Sequence, residues 1–276
     1  MVGRAFFLGV VLAVSLSASP PARGADASGP VPLPMAGSMT TDRPAQVVTP
    51  FTVVPGRIQA EMNLISYAHD NYLETDYLFV ADTLLRIGAR EGSEVGVIVR
   101  PIGTSDEPNG SEAFGAGDIG LRFKHNLWGN DRGAREAGSD SALAVMPFIT
   151  LPTGTAGLGY DRVTGGVAFP FLKTLGPDLA LLDTPGAEYR PKNGKDDAFS
   201  VSNTLALFLT LRHGIRVYGE LAAKAETAEW SDWKGSIDLG LIDEVTPDLQ
   251  LYVATNIGIT ERAADLVMIF GFAARF

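Results

Sequence analysis

Charged residues recur at every second position inside otherwise apolar stretches of this 276-residue chain, and that spacing sets the chemistry to be explained. In "DIGLRFKHNL", Arg122 and Lys124 alternate with Leu121, Phe123 and Leu127; in "IRVYGELAAKA", Arg216, Glu220 and Lys224 oppose Ile215, Val217 and Leu221. Glu61, Asp82, Arg86, Arg100 and Asp238 take the same inward parity in their own stretches, joined by Glu94, Arg212 and Arg275. Acids and bases sharing one face can neutralise one another, or form a ladder that sorts solutes by charge.

Bond-making chemistry has less support. His69, His125 and His213 are scattered at strand ends without ligand spacing, and the chain has no cysteine, so no metal site is expected. "GAGDIG" (Gly115, Gly117, Gly120) matches a dinucleotide fingerprint by letter. It precedes an alternating stretch rather than a helix, and so reads as a turn. The chain has no G-x-S-x-G elbow. No catalytic residue and no cofactor are assigned, and the expected protein is not an enzyme. A net charge of −10 excludes a nucleic-acid partner, because nothing offsets the phosphates.

The elements that position these charges are strands. "LQLYVATNIGI" sets Leu249, Leu251, Val253 and Ile257 against Gln250, Tyr252, Ala254 and Asn256, and "GSIDLGL" sets Ile237, Leu239 and Leu241 against Ser236, Asp238 and Gly240. About twelve such segments follow one another from Gly56, with spans near 57–69, 76–90, 93–101, 117–127, 141–151, 162–175, 179–190, 198–212, 215–226, 233–245, 249–259 and 265–276, each long enough to cross a bilayer at a tilt. A soluble sandwich would alternate as well. Mid-strand Arg or Lys on a lipid-facing surface, however, costs about 2–4 kcal/mol, so the charged face is expected to line a lumen. A membrane offers no partner for open sheet edges, so the strands must close, and the last one, ending in Phe276, is needed whole. The fold predicted is all-β: a transmembrane up-and-down antiparallel β-barrel of about twelve strands.

Alternate connections are tight ("EGS" at 91–93, "GPD" at 176–178, "HG" at 213–214, "TPD" at 246–248), and those between are longer, such as 103–117 and 152–161. Segment 128–140 breaks this asymmetry. Trp128, Trp230, Trp233 and Tyr252 read as a girdle at the membrane interfaces.

The N-terminal residues 1–27, with Arg4, an apolar run and Ala25-x-Ala27, have the build of a cleaved signal peptide. Residues 28–55 are rich in Pro and Thr and form an extended segment; 56–276 form the barrel. The extended segment is expected to fold into the lumen as a constriction, with Asp42 and Arg43 bonding the inward charges. Phe272 and Phe276 share a parity with Phe270 and resemble the C-terminal signal by which outer-membrane barrels are recognised for assembly.

"TTDRPAQVVTPFTVVPGRIQAEMNLISY" (Thr40–Tyr67) resembles the opening of a barrel family named for the meta-pathway of phenol degradation. The match is carried by Thr41-Asp42-Arg43-Pro44, Thr49-Pro50, Pro55-Gly56, Gln59 and Glu61. "GAGDIGLRFKHNLWG" (Gly115–Gly129) and "AVMPFITLPTG" (Ala144–Gly154) resemble later family segments. The resemblance implies an outer-membrane, transporter-like barrel passing small hydrophobic or aromatic solutes, with no catalytic residues to carry over. The expected function is therefore a narrow channel whose partners are outer-membrane lipid, the barrel-assembly machinery and a small-molecule solute. Two alternatives stand beside it: a barrel enzyme acting on lipid, which requires a Ser–His pair at a membrane interface, and a closed structural or surface-binding barrel.

Overall fold

The structure, a computed structural model, describes residues 39–106, 112–129, 140–191, 198–211, 214–227 and 232–276. The expected signal peptide, Arg212, His213 and Trp230 lie outside these residues. Fifteen segments form a single antiparallel sheet. In chain order they are β1 (Ile58–Asp70), β2 (Thr75–Arg90), β3 (Ser93–Val99), β4 (Ile102–Asp106), β5 (Glu112–Gly115), β6 (Ile119–Trp128), β7 (Ser141–Leu151), β8 (Thr164–Ala168), β9 (Phe171–Thr174), β10 (Leu179–Arg190), β11 (Ala198–Thr210), β12 (Ile215–Glu226), β13 (Lys234–Thr246), β14 (Leu249–Gly258) and β15 (Leu266–Arg275).

Three consecutive pairs act as single staves. β3 and β4 both pair with β2, β6 and β5 continue the next stave against them, and β8 and β9 both lie between β7 and β10. Two of the breaks fall at Pro101 and Pro170, which cannot donate to a ladder. Fifteen segments thus make a barrel of twelve staves. It closes because β1 pairs with β2 on one side and with β15 on the other. At the seam Phe276 N donates to Ile58 O at 2.8 Å and Ile58 N to Phe276 O at 3.3 Å.

Period-two alternation carries through to burial. Leu239 is 52% exposed on the outer face while its neighbour Asp238 is fully buried inside. Leu121, Phe123, Leu221, Leu251 and Phe270 join the outer band, so the apolar face that would meet lipid is continuous around the wall.

Two expectations need correction. Residues 103–106 and 112–115, expected within a loop, belong to β4 and β5 instead. Their mixture of Gly, Thr, Ser and Asp carries no apolar alternation, because a hairpin reaching beyond the lipid need not present a greasy face. Tyr252, expected in the girdle, is buried in the lumen and donates to Asn63 Oδ1 at 2.9 Å. Gly271, directly across β15, makes the room: a Cβ there would stand 2.6 Å from the Tyr252 ring. Trp233 does lie on the outward parity of β13, its ring over Gly235, and Trp128 donates to Ser141 Oγ at the end of β6.

Candidate functional site: a segment held inside the barrel

Residues 39–53 form no strand, yet most of them are buried. They make a loop across the lumen whose base sits on one wall and whose tip touches the other.

The base rests on β1, β2, β3 and β6, where three acids and three bases converge. Inward parity brings Glu61, Arg86, Glu94, Arg122 and Lys124 together, and the loop adds Asp42. Arg86 donates through Nε and Nη2 to the two oxygens of Glu94, both at 2.9 Å, and through Nη1 to Glu61 Oε1 at 2.8 Å. This forked geometry makes the strongest class of protein hydrogen bond. Lys124 Nζ reaches Asp42 Oδ2 at 2.8 Å and Glu94 Oε1 at 3.3 Å, and Arg122 Nη2 pairs with Asp42 Oδ2. Gly96 lies directly opposite both Arg86 and Arg122 in the register, and a Cβ there would fall 2.6 Å from the Arg122 side chain. A side chain at that position would push the Arg122 side chain out of its place.

The same charges hold the loop's backbone. Glu61 Oε2 accepts from the amides of Asp42 and Arg43, both at 2.8 Å, and Glu94 Oε2 accepts from Val53 N at 2.8 Å. Arg86 donates to Thr40 O and Phe51 O, each at 2.9 Å. Asp42 Oδ1 closes the loop on itself by accepting from Thr49 Oγ1 at 2.8 Å. Burial pushes the Asp42 carboxyl up, but Arg86, Lys124 and Arg122 more than offset it and hold the group well below the usual carboxylate range.

Arg43 fixes the flank. It donates to Asp82 O at 2.5 Å and to Asp82 Oδ1 at 2.9 Å, and Arg100 Nε lies 3.6 Å from Asp82 Oδ2. Asp82 sits beside a paired bulge in which both strands carry an extra residue, Leu64 on β1 and Ala81 on β2. Ala81 has φ of 58°, the left-handed region that a Cβ disfavours, and the bulge aims Asp82 at Arg43.

The tip is held differently. Gln46 N and Val47 N donate to Glu220 at 2.7 and 3.2 Å, Gln46 Nε2 donates to Asp238 Oδ2 at 2.5 Å, and Val48 N donates to Thr184 Oγ1 at 3.0 Å. Glu220 and Asp238 are register partners on β12 and β13, so two buried carboxyl groups stand side by side with no basic residue paired to either among the described residues.

The tip divides the lumen into two spaces. Towards the long-loop end lies a vestibule of about 510 Å³, lined by Gln46, Val48, Ser202, Thr204, Lys224 and Lys234. Lys224 is paired there with Glu188. Towards the end that carries Ile58 and Phe276 lies a chamber of about 30 Å³, lined by Ala45, Val47, Phe51, Phe208, Arg216 and Ile242. Even-numbered tip residues face one space and odd-numbered residues the other.

The candidate residues therefore separate into groups. Glu61, Arg86, Arg122, Lys124 and Asp42 meet at the base; Asp82, Arg100 and Arg43 meet beside it; Glu220 and Asp238 meet at the tip; Lys224 lines the vestibule and Arg216 the chamber. Phe272 and Phe276 are on or beside β15, away from all of these. Sequence reasoning missed the neutral partners Gln46, Thr49, Gln59, Asn126 and Gln250. Gln59 Nε2 bonds Thr40 O and Gln250 Nε2 bonds Met39 O, and the available signal was an uncharged amide at an inward, fully buried position.

One outward pair bears on catalysis. Ser93 Oγ and His125 Nδ1 lie 2.9 Å apart, but Ser93 is only 1% exposed and His125 has no further bonding partner among the described residues. A nucleophile needs access and its base needs an orienting group.

A family model described as "Putative MetA-pathway of phenol degradation" matches residues 41–276. The fold is similar to that of an outer membrane channel from Pseudomonas putida F1, with a TM-score of 0.60 at 14% identity, covering 81% of this chain and 96% of that one. It is also similar to the NanC porin, with a TM-score of 0.52 at 6% identity, covering 77% of this chain and 98% of that one. No curated protein matches the sequence.

Proposed function

The chain belongs to the family so described, and from that premise we propose that it is an outer-membrane channel for small solutes, narrowed by its own N-terminal loop. One observation carries the reading. Inward space exists on both sides of the loop's tip, and a handful of hydrogen bonds at Gln46, Val47 and Val48 is what separates the two spaces. A barrel sealed only for stability would be filled across its whole section. Here the filling is one loop, fixed at one wall and lightly held at the other.

The two similar folds include a channel and a porin, which fits this reading. The family description and the apolar lining of the chamber favour hydrophobic or aromatic solutes. The inward charges Glu61, Asp82, Arg86, Arg100, Arg122 and Lys124 act chiefly as anchors for Asp42 and Arg43, while Arg216, Glu220, Lys224 and Asp238 face the route. Lipid contacts the outer apolar band, and Phe272 and Phe276 are the residues that the assembly machinery would read. The Ser93–His125 pair serves structure.

Swelling of liposomes loaded with the protein, in a graded series of small neutral solutes, tests the reading. The intact barrel should pass the smallest solutes slowly, and deletion of residues 36–50 should raise both flux and single-channel conductance. If the shortened barrel, folded by its heat-shifted gel mobility, conducts no better than the intact one, the loop is not the constriction.

A further inference from the structure

The chamber beneath the tip holds an arrangement that the channel reading leaves unexplained. Arg216 is 8% exposed, and its Nε and Nη2 have no hydrogen-bond partner. Its register partner on β11 is Thr210, whose Oγ1 is also buried and unpartnered. Its register partner on β13 is Ile242, which offers nothing polar. Glu244, two residues further along β13, is the acid in its electrostatic field, and no ion pair joins them. The other guanidinium lining the chamber, Arg43, is committed to Asp82.

A buried guanidinium short of acceptors is costly as it stands. Such a group in a native protein calls for a partner, and an arriving acceptor supplies one. The donors define that acceptor. A guanidinium fork matches two oxygens in one plane. One uncommitted positive charge matches a monoanion. Phe51, Phe208, Leu172, Leu182 and Ile242 give the lining an apolar side that suits an apolar body, with Thr40, Thr41 and Thr49 of the loop beside it. Phe208 is itself braced, its ring stacked on Tyr218 at 4.8 Å.

We propose that this chamber is a carboxylate site. Arg216 receives the carboxylate of a small organic monoacid, and its apolar body lies against Phe208 and Ile242. At about 30 Å³ the chamber accepts the carboxylate head as it stands, while a ring must lift Ala45 and Val47, which form the roof. Occupation of the site therefore pushes on the lightly held end of the loop. The inference rests on the channel reading, because the acid arrives along the lumen.

The probe is benzoate, titrated calorimetrically against the full mature chain in detergent, with benzamide as its neutral isostere. Benzoate should bind at least about tenfold more tightly than benzamide, as a charge-assisted fork requires. Arg216→Gln should remove that preference, Arg216→Lys should restore part of it, and Lys234→Gln in the vestibule should leave it unchanged. Arg216→Met gives a second arm should Arg216→Gln fail to fold, and should likewise bind benzoate no better than benzamide. Equal binding of the two probes, or undiminished benzoate binding in a folded Arg216→Gln barrel, overturns the site. The outcomes separate from those of the channel reading. A barrel that passes neutral solutes yet binds no benzoate defeats the site alone. One that binds benzoate yet passes nothing retains the site and defeats the channel.

Discussion

The base and the tip of the lumenal loop are anchored to opposite walls by different chemistry. At the base, Asp42 meets Arg86, Arg122 and Lys124, and Glu61 and Glu94 balance them, so three negative and three positive groups close on one another out of water. At the tip, backbone amides and one glutamine side chain meet Glu220, Asp238 and a threonine. Removing one partner from a buried, mutually compensated ion cluster leaves an uncompensated charge and costs about 3–5 kcal/mol. A single hydrogen bond to a charged group contributes about 1.5–3 kcal/mol. The base is a fixture and the tip a catch, so motion should begin at Gln46–Val48 and stop at Asp42.

The largest effect should come from breaking the base. Asp42→Asn leaves Arg122 and Lys124 with one negative charge too few, and the base should loosen although Glu61, Glu94 and Arg86 still hold its backbone, while the barrel, whose hydrogen-bonded wall is separate, stays closed. A cysteine placed at position 47 would then react with a lumen-permeant maleimide at least tenfold faster than in the parent. Unchanged labelling would erase the distinction between the two ends.

Acid should discriminate between them in the same way. Because the Asp42 carboxyl is held well below its ordinary range, the stability it contributes is present above the unfolded-state value and is lost only as pH falls through the depressed folded value. The base should therefore hold through ~pH 4, where an ordinary carboxylate is already titrating. Single-channel recordings taken as the pH is lowered to that point should show no permanent open level from loss of the base.

A smaller effect is expected at the tip. Gln46→Ala removes the bonds to Asp238 and Ser236 but keeps the Gln46 amide bond to Glu220. Brief openings should become more frequent by about tenfold, with the position-47 cysteine still slow to label at rest. If Gln46→Ala frees the loop as fully as Asp42→Asn does, the catch and the fixture are one device.

The smallest effect lies beside the base. Ala81→Gly should relieve the left-handed strain at the bulge and stabilise the barrel by no more than about 1 kcal/mol, seen as a slight rise in the temperature at which gel mobility shifts. A loss of stability would mean that the Ala81 side chain has a packing role outweighing its strain.

The sequence carried the closed barrel, the inward side of its charges and the twelve crossing segments, because lipid forbids mid-strand charge and open edges wherever it touches the wall. That constraint acts on each strand alone and can be read two residues at a time, as at Leu239 and Asp238. It is silent beyond the lipid, and there β4 and β5 went unrecognised. It is silent too about size inside the wall, where Tyr252 found room over Gly271. Only the folded barrel decided which charges meet. Glu94 faces Lys124, and Arg86 bridges to Glu61, through the stagger of neighbouring staves and the paired bulge at Leu64 and Ala81. The path of residues 39–53 belongs to the same level. Groups as distant in sequence as the Gln46 amide and the Glu220 carboxylate come within bonding reach only after the cylinder has closed around them, so no local spacing could announce the contact.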